Sequence, residues 1–165
     1  MELNRNPFRI PAIACAAVTL FVTSCVDSES PERLLKRLGL EYETDAEGDY
    51  KAEVVLPDGR TKTVGIGAHG IPLRDGLSLR EIWSVAVRIP GSLPDGLAES
   101  LLTDTWSSAM FGAWALAGET VDGRQVLVYV CRLPMDATES SFSAALVDAA
   151  TAASDMEAAL AGLAD

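Results

Sequence analysis

The stretch KAEVVLPDGRTKTVGIG, residues 51–67, predicts the element around which the fold is built. Before its turn, apolar side chains occupy every second position over 52–56, which is the period of a half-buried strand. The turn is Pro-Asp-Gly at 57–59, where proline presets one backbone dihedral angle and glycine accepts a positive φ. Val64 and Ile66 then share one face of a return strand, so the stretch predicts a β-hairpin.

A helix is predicted before this hairpin and a third strand after it. Ser30, Pro31 and Glu32 are typical of a helix start, because they supply a hydroxyl cap, an early proline and an early acid. The helix is expected over 31–38, and a loop is expected over 70–76. The third strand is predicted to present four apolar side chains on one face: Trp83, Val85, Val87 and Ile89.

Another helix and two further strands are predicted beyond it. Ser92, with Asp95 three residues later, resembles a capping box for this second helix. Its apolar side chains are Leu97, Leu101, Leu102 and Trp106. A fourth strand is expected over 110–117. In the segment 126–133, apolar residues occupy both faces of the expected strand. This favours a strand in the middle of the sheet.

The last predicted element is a long helix. Pro134 and Asp136 are expected to open it, with Asp136 as the N-cap. Apolar side chains then recur every three or four residues, at Phe142, Leu146, Ala149, Ala153, Met156, Leu160 and Leu163. The order α-β-β-β-α-β-β-α predicts the α+β class. We expect an antiparallel sheet of about five strands with helices packed on it, in a single domain over 31–165.

The start of the chain predicts a lipoprotein signal peptide over 1–24. A mildly basic start is followed by a short apolar run, the layout of an export signal. Val-Thr-Ser-Cys at 22–25 then resembles a bacterial lipobox. The resemblance implies cleavage before Cys25 and lipid on its sulfur. An ordinary secretory signal and an uncleaved anchor are the alternatives.

Lipidation would anchor the protein in the bacterial cell envelope. Residues 25–30 are then the lipidated cysteine and a short tether. Val26, not aspartate, follows Cys25. In a diderm host this resembles the signal for transfer to the outer membrane.

The charge balance is strongly acidic. The chain holds 13 lysines and arginines against 24 aspartates and glutamates, and after residue 24 the balance is 11 against 23, a net charge of −12. Such a domain lacks the basic surface that nucleic acids bind, so we expect no nucleic-acid partner. Anionic head groups would also repel it. The lipid on Cys25 would therefore have to hold the protein at the membrane.

Several features suggest chemistry, but none forms a full constellation. GIGAHG at 65–70 fits a dinucleotide fingerprint, yet Ile-Pro and a loop follow where that site needs a helix. His69 is the single histidine, and a pairing with Cys131 stays open, although Cys131 is expected to be buried and inert. The acids of 45–49 predict a solvated turn rather than a calcium loop. We predict no catalytic residue, no cofactor and no metal.

Short motifs recur in a characteristic order: Asp58-Gly59-Arg60, Leu101-Leu102, Gly112-Ala113-Trp114, Gly123-Arg124 and the segment 153–160. Together they resemble the YbjN-type family of candidate regulators, whose fold is related to type III secretion chaperones. Thr103-Asp104-Thr105 departs from the family pattern, because an asparagine would follow the two leucines closely. The resemblance implies a small protein-binding or regulatory module, often dimeric, and it supplies no catalytic residues.

Aromatic residues near the fourth strand predict a protein-contact surface. Trp83 and Trp114 have inward parity and are expected in the core, whereas Trp106 is expected either in the core or in a dimer contact. No charged residue occurs over 105–118, and Phe111 has the parity opposite to Trp114, so one of these two should lie outside the main core. For a homodimer or another partner, we expect contact through Trp106, Met110 and Phe111.

These patterns favour a non-enzymatic, membrane-anchored protein-binding or regulatory module. The competing class is a small-molecule carrier of the envelope with a pocket between sheet and helices. An enzyme ranks last, for want of a base and nucleophile pair. A sealed apolar interior would favour the protein binder, and a roomy cavity with convergent polar groups would favour the carrier.

The first prediction concerns the anchor. Cys25→Ser should release the protein from the membrane fraction or leave the precursor uncleaved, because a serine cannot carry the thioether lipid. Cell fractionation and the mass of the intact chain measure both outcomes. Normal maturation and membrane retention in this variant would contradict the lipobox interpretation.

Overall fold

The computed structural model describes residues 29–107, 109, 111–118 and 123–161. This part of the chain forms three α-helices and seven strands. The helices are α1 (Pro31–Arg37), α2 (Leu97–Ser107) and α3 (Glu139–Ala159). The strands are β1 (Tyr42–Thr44), β2 (Tyr50–Val55), β3 (Thr61–Ile66), β4 (Ile71–Pro72), β5 (Ser78–Pro90), β6 (Gly112–Ala117) and β7 (Arg124–Pro134). The predicted signal peptide and Cys25 lie outside the described residues.

The strands form one antiparallel sheet with helices packed on it, which confirms the predicted α+β class. The sheet order is β1-β2-β3-β5-β7-β6, and β4 pairs with the start of β5. The expected count of about five strands misses β1 and β4, which have only three and two residues. Strands this short show no hydrophobic period. β7 lies between β5 and β6, as the apolar character of 126–133 predicts.

The helix starts agree with the sequence at α1 and differ at α2 and α3. Ser30 caps α1 as predicted, with its hydroxyl accepting from the Arg33 amide. Ser92 does not cap α2, because glycines with positive φ at 91 and 96 bend the chain until Leu97. Nor does Asp136 cap α3. A turn follows β7 there, and Thr138 accepts from the Ser141 amide at 3.2 Å instead.

The main core lies between the sheet and the helices α1 and α3. Its most completely buried members come from both layers: Leu34, Leu35, Val64, Ile66, Ile82, Phe142 and Leu146. The predicted apolar stripe of α3 is confirmed from Phe142 to Ala153, and Leu163 lies outside the described residues. A second cluster joins α2 to the same face of the sheet, through Leu101, Leu127 and Ala153. All three described helices therefore cover one face of the sheet.

Strand β5 changes the face that its side chains present. A β-bulge lies between Val85 and Val87. Before the bulge Ile82 and Ser84 are buried under the helices, and after it Val87 is buried. The prediction that Trp83 and Val85 share the inward face is wrong, because one extra residue reverses the alternation. Both are only half-buried, and by the alternation they lie on the face that α1, α2 and α3 leave open.

Trp83 packs against β3 on that open face. Its register partner is Gly65, and a Cβ built at Gly65 would lie 2.3 Å from Cε2 of the indole. The first glycine of GIGAHG therefore makes room for an aromatic ring. No helix follows the motif, since β4 begins at Ile71. Within the described part of the chain, no helix has the length and apolar character needed to span a bilayer.

Gly65→Ala tests this packing. The new methyl group must displace Trp83 or the strand, so we expect unfolding in urea to lose about 1–3 kcal/mol, the usual cost of overpacking. Gly118→Ala is the matched control, because nothing lies within 4 Å of its built Cβ. Equal stability of both variants, with an unchanged near-ultraviolet dichroism signal of tryptophan, would contradict the account.

Candidate functional site

One face of α2 presents two large apolar side chains to solvent. Leu102 is 72% exposed and Trp106 is 92% exposed. Because they are four residues apart, they lie next to each other on the helix surface. We call this pair the α2 stripe. A tryptophan so fully exposed is unusual in a folded domain, since the indole is among the most buried side chains on average.

The opposite face of α2 is fixed to the rest of the domain. Leu101 is buried in the second cluster. The indole nitrogen of Trp114 in β6 donates to the Asp104 carboxylate at 2.7 Å, and its amide donates to the Thr105 hydroxyl at 3.3 Å. These contacts hold α2 in one orientation, so the α2 stripe cannot turn inward without breaking them.

Helix α2 lies beside an uncharged sheet edge. β6 is the last strand of the sheet, and its outward residues are small or apolar. Leu116 is 46% exposed, and Ala113 and Ala115 are exposed too. An edge strand offers unpaired amides and carbonyls, and native proteins usually protect such edges with charges. The described residues from 105 to 118 contain no such charge.

The predicted contact residues have different environments. Trp106 is exposed, so the alternative that it packs in the core is wrong. Phe111 is half-buried against the main core, and it precedes the first residue of β6, Gly112. The argument from strand alternation, which placed either Phe111 or Trp114 outside the main core, therefore does not apply to Phe111. Met110 lies outside the described residues. Leu102 was not predicted as a contact residue, although its spacing of four from Trp106 is a signal for a shared helix face.

A buried polar cluster lies under α3. The Tyr129 hydroxyl donates to the Asp148 carboxylate at 3.0 Å, and the Cys131 sulfur lies 3.9 Å from the same oxygen. Burial raises the pKa of Tyr129, and the carboxylate adds to the effect. Burial, together with the Asp148 charge, also raises the pKa of the Cys131 thiol to about 12. Both groups therefore stay protonated and unreactive at neutral pH.

The other sequence features lie apart from one another in the described part of the chain. His69 is exposed, whereas Cys131 is fully buried. The polar groups next to the Cys131 sulfur are the Ala145 backbone carbonyl and the Asp148 carboxylate, so Cys131 and His69 do not form a pair. The Asp45 carboxylate accepts from the amides of Glu47 and Asp49, which confirms a turn. Among the described residues, no three metal-ligating side chains come together.

Cys131 gives a direct test of the core. It is 0% exposed and its pKa lies near 12, so an alkylating reagent at neutral pH should modify it at least roughly a hundredfold more slowly in the native protein than in urea. Peptide mass spectrometry separates its signal from Cys15 and Cys25. Rapid native labelling at Cys131 would contradict the packing described for β7.

Comparisons with known proteins support the fold. No profile of a known protein family matches the chain, and no curated protein sequence matches it. A solved structure does: YbjN from E. coli, titled as a proposed transcription regulator, superposes with a TM-score of 0.50 at 17% identity. The match covers 79% of this chain and 88% of that one. The chain therefore has a YbjN-like fold, and an identity this low shows the fold alone.

Proposed function

We propose that the protein is a non-enzymatic binding or regulatory module that holds a protein partner at a bacterial envelope membrane. The observation that carries the proposal is the exposed α2 stripe, on a helix that packs against the uncharged β6 edge. Tryptophan is enriched among the residues that dominate protein interfaces. Full burial of a large apolar side chain contributes roughly 1.5–3 kcal/mol, so a partner that covers Leu102 and Trp106 gains substantially.

The short tether supports a role at the membrane surface. The backbone carbonyl of Glu29 accepts from the buried Arg80 guanidinium at 2.7 Å, and the Glu29 carboxylate accepts from Arg37, also at 2.7 Å. The chain is thus fixed to the domain four residues after Cys25. Four residues span at most about 14 Å when extended. Lipid on Cys25 would hold the domain close to the head groups, so its partner would be a membrane protein or a protein near the membrane.

The interior favours a protein binder over a carrier. At the centre of the sheet, the space under α3 is filled by side chains with almost no exposure, among them Ile82, Phe142 and Leu146. The cavities that α3 shares with the sheet lie at its margins, beside β6 and at the end of the helix. A carrier of the kind considered from the sequence would need a cavity in the central position. YbjN from E. coli is titled as a proposed transcription regulator, which agrees with a binding role. The acidic charge of this chain supports a protein partner rather than nucleic acid.

Truncation of the α2 stripe tests the proposal. Trp106→Ala and Leu102→Ala should each weaken partner capture or self-association roughly tenfold or more, because removal of a dominant interface residue costs about 2 kcal/mol or more. Chemical crosslinking in intact membranes measures capture, and sedimentation velocity of the purified full-length chain measures self-association.

Val55→Ala is the matched control, since Val55 is also an apolar side chain that is largely exposed, on β2. Its capture and sedimentation should equal those of the wild type, and all three variants should unfold at wild-type urea concentrations. If Trp106→Ala and Val55→Ala behave alike in both assays, the α2 stripe is not the contact surface.

A further inference from the structure

The sheet is split on one side of β5. Strands β3 and β5 pair at only two positions, Gly65 with Trp83 and Ile66 with Ile82. The next contact is made by a side chain, since the hydroxyl of the buried Ser84 donates to the Thr63 carbonyl at 2.8 Å. Beyond it the bulge turns β5 away, and no further ladder pair joins the two strands in the described residues. We call the opening between them the split cleft.

The split cleft has the size and the walls of a small-molecule site. Its volume is about 830 Å³, within the range of roughly 300–1,000 Å³ that is usual for ligand pockets. One wall is apolar and formed by β5, with Trp83, Val85, Ala86 and Val87. The bulge creates this wall, because it brings residues of both alternations to the same opening.

The remaining side chains make the split cleft basic. Among the described residues, Lys51, Lys62, Arg88 and Arg124 line it, together with one acid, Glu157. Lys62 contacts Glu157 at 2.5 Å, and Lys51 lies 3.6 Å from Asp45. In the described part of the chain, Arg88 makes no ion pair. Four basic side chains therefore meet at one opening in a chain whose net charge is −11, and Arg88 is the one of them on which a ligand's anionic group would act most directly.

We propose that the split cleft binds a small organic anion, a carboxylate or phosphate carried on an apolar body. The Arg88 guanidinium would contact the anionic group, because its planar donors match carboxylate and phosphate oxygens in pairs. Lys62, which is paired with Glu157, and Arg124 line the same opening around it. The apolar wall of Trp83 and Val85 would cover the rest of the ligand. This site is separate from the α2 stripe and does not depend on the proposed protein contact.

Four probes separate charge from apolar contact in calorimetric titrations of the full-length chain. Phenyl phosphate and benzoate carry both features, inorganic phosphate carries only the charge, and benzyl alcohol carries only the ring. We expect one-to-one binding of phenyl phosphate or benzoate, with the other two probes at least tenfold weaker. The tighter of the two aryl anions identifies the anionic group as phosphate or carboxylate.

Charge reversal locates the site. Arg88→Glu should weaken the better aryl anion at least tenfold, and Lys62→Gln should weaken it several-fold. The control Arg74→Glu makes the same change of net charge at an exposed residue of a 3-10 turn between β4 and β5, outside the split cleft, and should have less than a twofold effect. Since Arg88 and Arg74 are both exposed, the Arg88→Glu and Arg74→Glu variants should keep the wild-type circular dichroism spectrum.

Several results would overturn the proposal. Neither aryl anion binding to the wild type would do so. Equal weakening by Arg88→Glu and Arg74→Glu would show an effect of net charge alone. Equally tight binding of benzyl alcohol or of inorganic phosphate would show that only one of the two features matters. A failure here leaves the α2 stripe assays unaffected, so the two proposals can fail separately.

Discussion

The ladder between β5 and β7 is the constraint on which the rest of the structure depends. It joins the longest strands of the sheet over Leu79–Pro90 and Arg124–Pro134, and it contains the bulge between Val85 and Val87. Before the bulge, β5 runs close to β3 and shares its core. After the bulge, β5 follows β7 alone and faces α2. One extra residue thus creates two apolar clusters, the open-face position of Trp83 and the gap beside β3.

The second organising feature is the attachment of the hairpin to α3. In the turn, Gly59 takes a φ of +86°, and the Asp58 carboxylate binds the Arg60 amide and guanidinium. Arg60 then donates to the Ser154 hydroxyl at 2.8 Å and to Asp155 at 2.7 Å. The Asp-Gly-Arg motif behind the family resemblance therefore has a structural role. It ties the β2–β3 hairpin to the helix that covers the sheet.

Sequence patterns correctly predicted the elements that pack a single face against one neighbouring layer. The alternation over 52–56, the cap at Ser30 and the stripe from Phe142 each follow from a single face packed against one partner. The face on which Trp83 lies could not be predicted from the sequence. A β-bulge depends on how two strands pair, and it leaves the composition unchanged. The exposure of Leu102 could not be predicted either. It directly follows the buried Leu101, and both are good helix formers, so their residue type does not show which one faces solvent. The basic residues of the split cleft are far apart in sequence, so only the fold brings Lys62 and Arg88 together.

The proposed function requires a protein in the cell envelope to cover the α2 stripe. Hydroxyl-radical footprinting measures this directly, because the oxidation rate of an indole follows its contact with water. We expect Trp106 to be oxidised rapidly in dilute purified protein and several-fold more slowly in intact envelopes, while the half-buried Tyr42 on β1, at the opposite edge of the sheet, changes little. Equal oxidation of Trp106 in both preparations would contradict the account.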